Sequence, residues 1–280
     1  MTEKQAKGKR PPRHHLDSLL MRESLLDKDV EAKTETAVFR MLPDSHVIKV
    51  GGRSIFDRGR EGVFPIVEQL RAALRTRKLI VGTGGGVRTR HVFSIGLDLG
   101  LPTGALAQFA VADALGTAHM LGTLLAPEGV VAIPPEMFGH LLPLFLKQAP
   151  GVIFNGVPPY SIWEHPPALG RIPPHRTDAG CLLLAECFGS KSVTLVKDVD
   201  GLYCHDPKLK PNAELIPRIS SKELQERNLE TLPFDRVLLE ILDNARQVTQ
   251  FQVINGMKPG LLLRALDGEH VGTIVHADPR

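Results

Sequence analysis

Cysteine is scarce in this chain. Cys181, Cys187 and Cys204 are three in 280 residues, an odd set that gives no disulfide framework. The spacing puts Cys181 and Cys187 on one helix, six apart and facing different ways, too divergent to bridge locally. A reducing cytoplasm is the expected compartment. No apolar run approaches the roughly 20 residues of a membrane span, and the N-terminus lacks the apolar stretch of a secretory signal. Neither a membrane nor export is therefore expected. HxH, HExxH and CxxC spacings are all missing, so a preformed zinc-type site is not expected either.

Net charge is small too, formally +3. The first fifteen residues, MTEKQAKGKRPPRHH, hold five Lys/Arg against one acid, which leaves the rest of the chain close to neutral. A nucleic-acid role would rest on this tail alone, and none is expected. The tail reads as a solvated extension or as a strap onto a partner subunit. Residues 1–40 are taken as this extension plus a lead-in helix over 16–40, and residues 41–280 as one domain.

What the chain does have is alternation. HVIKV (46–50), KLIVGT (78–83), VVAI (130–133), GVIF (151–154), SVTLVKD (192–198), FQVIN (251–255) and HVGTIV (270–275) read as strands. Their apolarity is continuous, as in a parallel sheet covered on both faces. Helices are expected at 61–75, 105–126, 136–147, 177–188, 234–248 and 260–266, with a Pro-rich loop at 157–174. No repeat or long linker interrupts the pattern, so a doubly wound α/β sheet follows.

Ligands in such sheets sit beyond the carboxyl ends of the strands. KVGGRS (49–54), GTGGGVRTR (82–90) and KDVDGLYCHDPK (197–208) fall there. Glycines let backbone N–H groups approach a ligand, and a following helix points its positive end at the same place. Lys49 adds a point charge, and Arg53, Arg88 and Arg90 add forked donors. The spacing fits neither GxGxxG nor GxxxxGK[ST]. Either these turns serve only as tight connections, or they cradle a phosphate or similar oxyanion.

These blocks carry a resemblance. KVGG, GTGGG, TDAGCLLLA (177–185), VKDVDGLYCHDP (196–207) and VINGMKPGLLLRALDGEHVGTIV (253–275) are similar, in order, to the amino-acid-kinase superfamily. The resemblance implies a three-layer αβα sandwich around a mainly parallel sheet, with MgATP at its carboxyl edge. It implies Lys49, Asp178 and Lys197 as catalytic residues. Gly51, Gly52, Gly84, Gly85, Gly86 and Arg88 would hold the phosphates. Asp200, Gly201, Tyr203, Asp206 and Pro207 would surround the nucleotide. Asp178, at a helix start, could instead cap that helix. Asp198, with Asp178, Asp200 and Asp206, is a further hard ligand for Mg²⁺.

Within that superfamily, VIKVGGRSIFDRG (47–59), RTRHVFSIGLDLGLPTGALA (88–107) and VPPYSIWEHPPALGRIPPHRTDAGCLLLAECFG (157–189) resemble the molybdenum storage proteins, the β-type subunits above all. This likeness implies a hexameric cage, heteromeric (α3β3-like) or homomeric, that uses MgATP hydrolysis to accumulate molybdate or tungstate as polyoxometalate clusters. His119, His140, His165 and His175 are the candidate metal ligands, since imidazole donates protons or ligates near neutral pH. His14, His15, His46 and His276 read as surface. Tyr160 and Trp163 read as a subunit contact or as buried anchors, and Cys204 as a small filler. LAQFAVADALGTAHMLGTLL lacks the acidic, Met-rich segment of UMP kinases. A kinase with an organic acceptor is thus the alternative reading, and an idle ATP-binding cage subunit a third.

Overall fold

The computed structural model describes residues 38–207 and 209–278. Most of the basic extension and of the expected lead-in helix lies outside them. Strands β1 (Ser45–Val50), β2 (Lys78–Thr83), β3 (Val131–Ala132), β4 (Gly151–Phe154), β5 (Ser192–Lys197), β8 (Arg218–Ser220), β9 (Gln250–Asn255) and β10 (Thr273–His276) form one sheet. Its order is β3-β4-β2-β1-β5-β9-β10-β8. Every pairing is parallel except β9 with β10. A separate antiparallel pair joins β6 (Leu202–Tyr203) to β7 (Leu215–Ile216).

Successive strand residues point to opposite faces, and the core divides accordingly. Val47, Ile80, Val152, Leu195 and Val253 pack on one face against α4 (Phe138–Gln148), α5 (Thr177–Phe188) and α7 (Leu238–Asn244). Ile48, Val81, Ile153, Val196 and Ile254 pack on the other against α1 (Arg60–Leu74), α3 (Thr103–Leu125) and α8 (Leu261–Leu266). Helix, sheet, helix: the mainly parallel three-layer sandwich is as expected.

The differences have local causes. Helix α2 (Gly86–Asp98) fills a stretch where no helix is expected from sequence, because it buries only Gly86, Phe93 and Gly96 and so shows no apolar stripe. Helix α6 (Ser221–Arg227) is a second unforeseen helix, with Ser220 as its side-chain cap. The helix expected over 234–248 shrinks to Leu238–Asn244. Phe234 is drawn into the core, the Asp235 N–H bonds Asp178, and the Glu186 carboxylate accepts the N–H groups of Arg246, Gln247 and Val248. Tertiary partners at each end outbid the helical ones.

One expectation from composition holds only for unbroken apolar runs. Thr103–Glu128 is long and apolar enough, at a mean hydropathy of 1.3, to cross a membrane. Its apolarity comes from alanine, leucine and methionine interrupted by Gly, Thr and Asp113, so no unbroken run betrays it. Leu106, Ala110, Ala114, Ala118, Leu121 and Leu125 are buried within the protein. His46 is corrected as well. It is buried in β1, and burial pushes its imidazole down to about 4, with Nδ1 2.7 Å from the Ser192 hydroxyl.

Candidate functional site

Three buried charges meet at the carboxyl edge of the sheet. β1 and β5 are adjacent and parallel, so their last residues carry Lys49 and Lys197 to the same edge. Asp178, the second residue of α5, reaches between them. Its Oδ1 is 2.5 Å from Lys49 Nζ, and Lys197 Nζ donates to Oδ2 at 2.8 Å and Oδ1 at 3.1 Å. The Asp235 N–H donates to Oδ2 at 3.3 Å. The N-cap position at this helix start is Arg176, not Asp178, and the Asp178 oxygens go to the two lysines and the Asp235 N–H. The capping reading therefore gives way to a charge bridge.

Burial disfavours every charge here. It would raise Asp178, but Lys197 and Lys49 together outweigh it and hold the carboxyl well below the usual carboxylate range. Lys49 goes up against its burial because Asp178 is so close. Lys197 goes the other way, to about 8, since burial and the repulsion of Lys49 exceed the pull of Asp178. Two ammonium groups thus share one carboxylate. With both lysines protonated, the three groups carry an excess positive charge that suits an incoming anion.

The glycine turns serve one another as well as a ligand. A Cβ on Gly52 would sit 2.3 Å from the Gly86 nitrogen and 2.6 Å from the Gly84 carbonyl oxygen. Only glycine lets the turn after β1 touch the turn after β2. Thr117 on α3 pins the second turn by donating to the Gly84 carbonyl at 2.9 Å. Gly86 holds φ at +74° and opens α2. The positive end of α2 is not wholly available, however. The Asp57 carboxylate accepts the Val87 N–H at 2.7 Å. Part of the anion role open to this helix start is filled by the protein's own acid.

A cavity of about 840 Å³ opens above these groups. Lys49, Gly51, Gly52, Gly84, Gly85, Gly86, Asp178, Lys197, Gly201, Tyr203, Asp206 and Pro207 all line it. So do Asp198 and Arg53, while Asp198 is paired with Arg58 at 2.6 Å. Arg90 lines it and is pushed down by burial and by Arg53 and Arg176 nearby, which marks a concentration of guanidinium groups at the mouth. Among the described residues of the lining, Arg88 and Asp200 are missing. Arg88 is exposed on α2. Asp200 turns to Lys258 at 2.7 Å and Asn255 at 2.8 Å, and Lys258 first of all holds it low.

Strand order divides the cavity. On the β5 side, Val199, Tyr203, His205, Pro207 and the segment 230–235 form its wall. On the β2 and β4 side the wall is Phe93, Leu97, Ala107, Ala110, Val157, Ile172, Pro173 and His175. Asp235, unforeseen from sequence, joins them through Arg176, which donates to its Oδ1 at 2.5 Å. The other oxygen, Oδ2, is buried with no hydrogen-bond partner. Such an orphaned oxygen suits a hydrated hard cation.

The histidines scatter. His119 is exposed on α3, nine residues beyond the cavity-lining Ala110, or about 13 Å along a helix axis. The side chain of His140 lies outside what the structure describes. His165 and His175 do come together, and with a third group that sequence reading passes over. Glu164, His165 and His175 each place a ligand atom within 4.8 Å of the others. A folded loop, not a helical repeat, brings these three candidate ligand atoms together, a proximity that no sequence spacing signals. Cys181 is buried, and burial pushes its thiol up, away from nucleophilic use.

Residues 45–255 match the amino acid kinase family. The chain is 48% identical over 263 residues, 94% of its own length and 97% of the relative's, to the molybdenum storage protein subunit beta of Azotobacter vinelandii. It is 30% identical to the uridylate kinase of Thermofilum pendens, covering 82% of this chain and 97% of that one. Among solved structures, the UMP kinase of Bacillus anthracis superposes with a TM-score of 0.65 at 19% identity, over 85% of this chain and 98% of that one. That last likeness speaks for the fold alone.

Proposed function

The chain belongs to the amino acid kinase family, and from that premise we propose that it stores molybdate or tungstate as oxometalate clusters in an oligomeric cage, with MgATP bound and hydrolysed during loading. One observation carries the site: two lysines sharing a single buried carboxylate under a glycine-walled cavity. The near full-length likeness to a molybdenum storage subunit supports the cargo.

In this reading Lys49 and Lys197 set their ammonium groups against the triphosphate, and Asp178 keeps the two from repelling one another apart. Arg53 and Arg90 draw the anion to the mouth. Gly51, Gly52, Gly84, Gly85 and Gly86 let backbone approach it, and Gly201, Tyr203, Asp206 and Pro207 border the nucleoside. The orphaned Asp235 oxygen fits Mg²⁺ through its water shell. MgATP supplies a phosphoryl group and the free energy of its hydrolysis. Tetrahedral oxometalates resemble phosphate in shape and charge, so the same scaffold suits the cargo. Assembly is proposed as a hexamer, with a homologous subunit (α3β3-like) or with copies of this chain.

The likeness to uridylate kinases favours a second reading, a kinase acting on a small organic acceptor. Phe93, Leu97, Ile172 and Pro173 make much of the β2 and β4 side of the cavity apolar, which suits a charged organic acceptor poorly and weakens that reading. Protein isolated from molybdate-supplemented cells decides between them. Storage predicts many molybdenum or tungsten atoms per chain, and ATP-dependent release of free phosphate. An acceptor-dependent phosphorylated product with little metal sinks the proposal. Nucleotide retained without turnover until a second chain is added marks an idle cage subunit.

A further inference from the structure

The loop between β4 and α5 buries a carboxylate in an unusual place. The Glu164 side chain is 1% exposed, and the ion pairs among the described residues bring it no lysine or arginine. Among the described residues its oxygens accept from His175, from the backbone N–H at 3.2 Å and at Nδ1 at 3.0 Å. A buried carboxylate is costly unless a positive charge meets it. His175 Nδ1 facing an acceptor carries the proton, which leaves Nε2 with its lone pair in the neutral ring. His165 repeats the arrangement. Its Nδ1 lies 3.2 Å from the Pro166 carbonyl, so its free lone pair is again on Nε2. The two rings meet edge to face with centroids 5.7 Å apart.

We propose that Glu164, His165 and His175 bind a divalent first-row transition-metal cation of the zinc type, separate from the lysine cluster and from the nucleotide. Two imidazoles with one carboxylate select such cations over Mg²⁺ or Ca²⁺. A tetrahedral zinc with bonds near 2.0 Å holds its ligand atoms about 3.3 Å apart. The present spread of up to 4.8 Å closes by side-chain rotation, since His165 is exposed and free to turn. Glu164 Oε1 against Nδ1 fixes the His175 ring and raises its basicity, while Oε2, which accepts the His175 backbone N–H, keeps a lone pair for the cation. Three protein ligands leave the fourth position for water.

The frame is built before any metal arrives. Ser161 donates to Gln108 of α3 at 2.9 Å, and Thr103 donates to the Arg171 carbonyl at 3.1 Å. Arg171 reaches the Leu97 carbonyl at 3.0 Å. The loop is stapled to α2 and α3 on both sides of the cluster, and Pro166, Pro167, Pro173 and Pro174 stiffen it between.

The full-length protein, stripped with a chelator and desalted, is titrated with zinc chloride and separately with cobalt(II), with neither ATP nor molybdate present. This proposal thereby stands or falls apart from the storage reading. We expect one site per chain in the micromolar range or tighter, and the intense visible bands of four-coordinate cobalt. His165→Ala removes an exposed side chain, so folding is preserved, and it should weaken binding by about 10–100-fold, as should Glu164→Gln. Equal affinity and cobalt spectrum in wild type and in the His165→Ala/His175→Ala double variant would assign the metal to other histidines and overturn the site. Absence of saturable binding overturns it as well.

Discussion

Lys197 is the residue whose state the site leaves most open. Burial first, then Lys49, takes its ammonium from the ordinary lysine range down to about 8. A bound polyphosphate favours the charged form and raises that value again. The sign follows: below about 8 the lysine is already protonated, whereas above it binding must first take up a proton. ATP affinity should fall as pH climbs through about 8, at most tenfold per unit. Calorimetry at about pH 7 and about pH 9, in buffers of different ionisation enthalpy, reads the uptake directly. Lys197→Ala should abolish it and weaken ATP binding. Uptake that survives in Lys197→Ala would move the titrating group elsewhere and unseat this lysine from the phosphate site.

At the scale of elements, the site depends on two turns packed backbone to backbone. Gly52→Ala drives a methyl into the Gly86 nitrogen and the Gly84 carbonyl, and these are backbone atoms, the carbonyl pinned by Thr117, not a side chain that can swing aside. The turns must part, so ATP affinity should drop at least tenfold, about 1.4 kcal/mol. Isothermal titration measures it; undiminished binding would mean that contact between the turns does not shape the phosphate site. This pairing shows how far the sequence can be read. Strand ends marked by glycine and lysine are local signals, so β1, β2, β5 and the cavity floor are legible. What Gly52 touches is a matter of register between strands and appears nowhere in the string. Asp57 at the start of α2, Asp235 beside Asp178 and Glu164 beside His175 are equally hidden. Each acquires its partner across a sequence gap, from 11 residues for Glu164 to 57 for Asp235. Arg88 and Asp200 lie outside the cavity lining for a local reason: a single turn of backbone sends one to solvent and the other to Lys258.

For the molecule as a whole, the most informative element is α3, apolar enough for a membrane yet with only 33% of its most apolar window buried. Phe109 and Met120, eleven residues or three turns apart, lie on one face and are 42% and 46% exposed. Val87 and Ile95 of α2 and Leu99 just after it are exposed as well, and Ile162 and Trp163 stand out from the loop that packs on the start of α3. Soluble single chains rarely leave contiguous apolar patches beyond a few hundred Å², whereas a stable contact covers about 800 Å² on each partner. The cage reading gives this surface its use as a subunit contact, and the chain carries its own reporter. Trp163 is its single tryptophan and is 84% exposed in the isolated protomer. In the assembled protein its emission should be blue-shifted and shielded from acrylamide. Phe109→Asp combined with Met120→Asp should release smaller species in native mass spectrometry and expose Trp163 to quencher. The buried face of α3 is untouched, so secondary structure should persist. Unchanged mass and unchanged quenching in that variant would place the subunit contact on another face, and α3 would need a different partner to account for its apolar side.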